Sequence, residues 1–238
     1  DSRGAGATDP QPLKQVPAFW SRSLPAEGPA REIAQRAEAA LHELSRRLSG
    51  PGADVSVVLA EAVAEQPRAP ADREAMLRTV HLRGLAVYCL QAVGDLASLV
   101  DALGDADKPD VRQAAVLALR QWTGGGDDRD LRLHQVLTQK KGYTERDADL
   151  VLQLLHSFSE EQVTNPALYS YLIGLLGHEK LAVRELAYWH LVRLDPQVAE
   201  DPKKYFFDAA APADVRQEVQ KAWKERIPDG QLPPGLRQ

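Results

Sequence analysis

Apolar residues along this chain recur with the period of a helix. Ile33, Ala37, Ala40, Leu41, Leu44 and Leu48 fall at helical spacing, and Gly50–Pro51–Gly52 stops the run. Asp54 then precedes a second apolar stretch, from Val55 to about Ala64. Asn165 followed by Pro166 is a helix start, a capping side chain and then proline in the first turn. Thr144 with Asp147 three residues on resembles a capping box, and Ala148, Val151, Leu152, Leu155 and Phe158 share one face behind it. No stretch alternates with period two, so an all-α fold is predicted. The opening residues, with Gly, Pro and polar side chains but no apolar period, read as an arm over 1–28, pinned at Phe19–Trp20. The body spans 29–227, and 228–238 reads as an extended tail.

Composition agrees with helix. Of 238 residues 34 are alanine and 32 leucine, against three isoleucines, and such side chains lose little rotamer freedom in a helix. The net charge of −5 argues against a nucleic-acid partner. No apolar run approaches the roughly 18 residues of a membrane span, so no direct membrane insertion is expected. The one cysteine, Cys89, excludes an internal disulfide framework and any cysteine-built metal site. It fits a reducing cytosol and an oxidising space equally well, so the compartment stays open. The first residue is Asp1, which implies an upstream segment: a tag boundary, a cleaved signal or an anchor.

Three segments superimpose without a gap: LRGLAVYCL at Leu82–Leu90, VRQAAVLAL at Val111–Leu119 and VRELAYWHL at Val183–Leu191. They lie 29 and 72 residues apart, the second interval being about two repeats of 36. A looser fourth copy, VRQEVQKAW, begins at Val215. Each is preceded by a shorter apolar helix, so the unit is a helical hairpin with an arginine one turn into its second helix.

LASLVDALGDADKPDVRQAAVLALRQW and LYSYLIGLLGHEKLAVRELAYWHLVRL resemble HEAT repeats. The resemblance implies a right-handed α-solenoid of about five stacked antiparallel hairpins, with the second helices lining the concave side. The HEAT pattern has an Asp in the inter-helix turn. Here Asp105 stands one residue further from the Val-Arg pair than that pattern has it, and His178 holds the place in the other unit.

Arg83, Arg112, Arg184 and Arg216 share one frame position. They form either a structural row, pairing with turn carbonyls or acidic residues of the next repeat, or a cationic stripe for an acidic ligand. Ala86, Ala115 and Ala187 mark close helix approaches. Tyr188 and Trp189 serve either inter-repeat packing or contact with a partner. The last helix, carrying Trp223 with a charged outer side of Lys221, Lys224, Glu225 and Arg226, reads as a polar end cap.

Catalytic signatures are sparse. Gly124–Gly125–Gly126 lacks the Gly-Lys-Ser/Thr ending of a phosphate loop and reads as a flexible loop, and Asp127, Asp128 and Asp130 lack calcium-loop spacing. His42–Glu43 and His178–Glu179 are two His-Glu dipeptides, whereas the HEAT-like deoxyhypusine hydroxylases build a di-iron site from four. Nothing selects the HEAT-like DNA glycosylases or phycobilin lyases. The expectation is a monomeric, non-enzymatic scaffold without cofactor that binds a protein or peptide in its groove. The alternatives are a structural or regulatory domain of a longer protein, its arm a tether to a membrane anchor or a second domain, and a HEAT-like enzyme of the metal-dependent hydroxylase or lyase type.

Overall fold

The computed structural model describes residues 28–67, 71–126 and 128–236. Within them the chain is all-helical, with no strand. Phe19–Trp20 and the rest of the arm before Gly28 lie outside the described residues. The helices are α1 (Pro29–Leu48), α2 (Val55–Ala64), α3 (Arg73–Val93), α4 (Leu96–Leu103), α5 (Pro109–Thr123), α6 (Arg129–Gln135), α7 (Glu145–Leu155), α8 (Glu160–Val163), α9 (Pro166–Leu175), α10 (Leu181–Leu194), α11 (Pro202–Tyr205) and α12 (Ala213–Arg226). None is long and apolar enough to cross a membrane.

Short polar side chains set the helix starts. Asp54, Asp72, Asp95 and Asn165 each accept backbone N–H groups from the first turn they precede, satisfying donors that no carbonyl can reach. Thr144 caps α7 through the Asp147 N–H at 3.1 Å. The reciprocal half of a box is absent there, because the Asp147 carboxylate is buried and faces His178 Nε2 at 3.6 Å. A full capping box occurs instead at Ser159 and Gln162, opening α8. Helix α7 stops at Leu155, so Phe158 lies beyond it, its ring 4.6 Å from that of His190.

Helices α1 and α2 pack on α3, α3 on α4 and α5, and α4 on α5. Further along, α7 and α9 pack on α10, and α12 on α9 and α11. One continuous core runs through these contacts. In the three close copies of the frame, Ala86, Ala115 and Ala187 are each 0% exposed. The fourth copy is loose in space as well, Val215 being 46% exposed where Val111 and Val183 are 0%. In α12 only Trp223 is buried, against the ring of Tyr205 at 5.5 Å, while Lys221, Lys224 and Glu225 face solvent.

Two features depart from an even repeat. Helix α3 begins at Arg73, so Arg83 lies in mid-helix, whereas Arg112, Arg184 and Arg216 each sit in the first turn. The cap at Asp72 lengthens α3 upstream and causes the difference. The interval of 72 residues also does not keep the second and third copies apart. The Arg112 side chain on α5 touches Glu185 on α10 at 2.8 Å. Between them the chain is irregular: α6 passes into a π-helical turn at Val136–Lys140, where the Thr138 hydroxyl bonds back to the His134 carbonyl at 2.9 Å. The C-terminal tail is not extended throughout, because Pro234–Leu236 form a 3-10 turn and Leu232 packs on the core.

The alanine positions leave no room for a longer side chain. Ala115→Leu is expected to lower stability by about 1–3 kcal/mol through overpacking. A comparable change at exposed Ala92 is expected to be near neutral, and chemical denaturation of the two variants makes the comparison.

Candidate functional site

The four framed arginines are tied down. On α3, Arg83 Nε donates to the carbonyl of Glu65, the residue that ends α2, at 2.7 Å, and Nη1 reaches Asp110 at the start of α5 at 3.3 Å. Arg112 is the most enclosed, at 1% exposed. Its Nη1 donates to Asp105 O at 2.9 Å, Nε to Glu185 Oε2 at 2.8 Å and Nη2 to Asp208 Oδ1 at 2.6 Å. Arg184 donates to the carbonyls of His178 (2.7 Å), Glu179 (2.8 Å) and Ala209 (2.7 Å). Arg216 reaches Ala211 O at 2.9 Å. A guanidinium suits this task because its planar fork can serve several fixed acceptors at once.

The turns that receive these arginines share a device. Asp105 Oδ1 accepts the Asp107 N–H at 2.9 Å, and Asp208 Oδ1 accepts the Ala210 N–H at 3.0 Å. His178 does the same through Nδ1, accepting the Lys180 N–H at 3.1 Å. The histidine thus replaces a turn aspartate, and with Nδ1 accepting, its proton sits on Nε2, toward Asp147. Burial pushes the Glu185 carboxyl above its ordinary pKa, against the pull of Arg112.

Tyr188 and Trp189 separate in role. Tyr188 is half-buried with its ring 5.6 Å from that of Phe207, and burial raises its pKa. Trp189 is also half-buried, but two guanidinium groups lie over its ring, Arg120 at 4.2 Å and Arg193 at 4.7 Å from the centroid. Its counterparts in the frame, Tyr88 and Leu117, are 39% and 44% exposed. This position therefore carries an exposed apolar side chain in two of the close copies and a half-buried one in the third, while the flanking frame positions are largely consumed by packing.

Arg120 and Arg193 were not among the residues singled out from the pattern. Arg193 lies four residues after Trp189 on the same helix, a spacing that brings side chains together. Arg120 comes from α5, and nothing local to Trp189 indicates it. It also holds the end of α7, donating to the carbonyls of Leu155 (2.6 Å) and His156 (3.1 Å) and to Ser157 Oγ (2.9 Å). Beside Trp189, His190 is 4% exposed and donates from Nε2 to Leu154 O at 2.6 Å. Burial, reinforced by the Arg120 and Arg193 charges, lowers its pKa to about 4.

The remaining candidates do not gather. His42–Glu43 lies on α1 and His178–Glu179 in the turn before α10. Among the described residues no group of three His, Cys, Asp or Glu side chains is placed to hold a metal ion. Gly125 serves packing: a Cβ there would collide with the Arg129 guanidinium, which lies 4.3 Å over the Trp122 ring. Cys89 is half-buried, and burial raises its thiol pKa. A cleft of about 440 Å³ between α1 and α3, unforeseen in the pattern, is lined by Ala39, Glu43, Arg47, Arg78 and Thr79. Arg46 and Arg47 hold the Glu43 carboxyl there at about 2.

Arg112→Met strands a buried carboxylate at Glu185 and is expected to cost about 3–5 kcal/mol. Arg112→Met with Glu185→Leu removes that charge and should recover about half of the loss in urea unfolding. His190 gives a pH signature. Its folded pKa lies below the ordinary 6.5, so as pH falls through 6.5 toward 4 the unfolded chain takes up a proton that the folded chain refuses. Stability present at pH 7 is thus lost on acidification, by about 2 kcal/mol at pH 5. His190→Gln should flatten the slope of unfolding free energy between pH 7 and 5, above the range where ordinary carboxylates titrate.

No family model, no curated protein and no solved structure matches this chain.

Proposed function

We propose that this chain is a HEAT-like α-solenoid and acts as a non-catalytic scaffold, seating a protein or peptide segment along the row Tyr88, Leu117 and Trp189. The observation that carries the reading is the frame itself. At one position of the frame Tyr88 and Leu117 stand exposed and Trp189 half-exposed, while Ala86, Ala115 and Ala187 two residues earlier are fully enclosed. Exposed aromatic and aliphatic groups at an equivalent frame position suit partner contact, where such groups act as anchors. The four framed arginines belong to the scaffold, because their donors are already engaged with turns and carboxylates.

A second reading, a structural domain of a longer protein, draws support from the first two helices. Ile33 and Leu41 on α1 and Val55 and Val57 on α2 are all more than 40% exposed, which suits burial against further protein.

Tyr88→Ser with Leu117→Ser is expected to reduce capture of proteins from the host lysate at least tenfold while leaving the melting temperature within a few degrees. Ile33→Ser with Leu41→Ser is the contrasting pair. Loss of capture with the second pair alone would replace the first reading by the second.

A further inference from the structure

The arginines of this protein fall into two groups by what neutralises them. Arg36, Arg47, Arg83, Arg112 and Arg226 each meet a carboxylate within 4.0 Å. Around Trp189 the arrangement is different. Arg120 has turned its donors to two carbonyls and a hydroxyl, all uncharged. Arg193 is exposed and, among the described residues, has no hydrogen-bond partner. Nearby in sequence to Arg120, Asp130 is engaged through Oδ2 by His156 Nε2 at 2.7 Å, and no ion pair joins it to Arg120 or Arg193 among the described residues. Two positive charges thus share one indole ring without an ion-pair partner among the described residues, in a chain whose net charge is −5.

We infer that the Arg120–Trp189–Arg193 cluster is a receiving site for a carboxylate side chain of a peptide partner, an Asp or Glu flanked by apolar residues. The inference rests on the scaffold reading and names the chemistry at one end of its row. The charge of the site selects the anion. The two guanidinium groups repel one another, and the Arg120 pKa is lowered by burial and by Arg193. A carboxylate seated between them relieves the repulsion and accepts charge-assisted hydrogen bonds from Arg193, whose donors are open, while Arg120 contributes its charge. The apolar row selects the flanking residues, since Leu117 and Tyr88 occupy the corresponding positions of the neighbouring copies. A nucleic acid is disfavoured, because two cations do not make a basic track and the protein's overall charge repels a polyanion.

The test uses the whole chain labelled with 15N at the tryptophan indoles, with hexaglutamate, hexalysine and a hexathymidylate as probes at 50 mM NaCl. The Trp189 indole signal is assigned as the one that Trp189→Phe removes. Hexaglutamate should shift this signal saturably, hexalysine should not, and Arg193→Gln should weaken the hexaglutamate response at least tenfold while thermal unfolding stays unchanged. Arg193→Lys keeps the charge but loses the fork, and should fall between the two. No saturable shift with hexaglutamate, an equal response in Arg193→Gln, or tighter binding of hexathymidylate than of hexaglutamate would each overturn the inference. Failure here leaves the row reading standing if Tyr88→Ser with Leu117→Ser still abolishes capture. Hexaglutamate binding without any effect of that pair on capture would uphold the site and sink the row.

Discussion

The enclosed guanidinium of Arg112 is the constraint from which much of this architecture follows. An ion of that size taken out of water costs several kcal/mol unless its donors are met. Meeting them requires three separate pieces of chain to arrive at one point: the Asp105 carbonyl, the Glu185 carboxylate and the Asp208 carboxylate. Glu185 and Asp208 come from regions 73 and 96 residues further along. A collapsed but wrongly registered chain buries its leucines nearly as well, yet it leaves this charge unpaired. The network therefore contributes more to choosing one arrangement than to the depth of the minimum, since an apolar replacement of a whole buried pair is often no less stable.

The same logic extends outward through the turns. Asp208 receives Arg112 and at the same time closes its own turn on Ala210, and the next carbonyl, Ala209, receives Arg184. Arg184 in turn grips the carbonyls of His178 and Glu179, in the turn that His178 shapes through Nδ1. Each arginine thus fixes a turn, and two of those turns position acceptors for another arginine. The α12 end, where Arg216 meets only one carbonyl and Val215 is exposed, is where this linkage fades.

Helix class, most boundaries and the repeat frame were legible in the sequence because they depend on neighbours a few residues apart. Asp54, Asn165 and the leucine spacing act within one or two turns. The frame also ranked its own copies correctly, the loose match at Val215 being loose in space too. What depends on distant partners was not legible. The carboxylate of Asp147 looked available for a capping box, and the deciding fact was His178, 31 positions on and half-buried beside it. The spacing of 72 residues suggested a full hairpin between two copies that in fact touch. The Trp189 cluster is half legible: Arg193 lies one turn away, whereas Arg120 arrives from another helix.

The frame also separates what can vary from what cannot. Position by position, the three close copies assign the arginine to turns, the alanine to tight helix approach and the final leucine to the core. A substitution at any of these is felt through packing or an unpaired charge. The seventh position, occupied by Tyr88, Leu117 and Trp189, is not fully enclosed in any of the three copies. Trp189 is half-buried there and packs on His190 at 4.9 Å, and Arg120 above it holds the end of α7. Arg193 has no such duty and repels Arg120, so the fold gains little from its placement. What the fold leaves open in this cluster is Arg193, exposed and without a hydrogen-bond partner among the described residues, and a group so placed can serve recognition without disturbing the scaffold beneath.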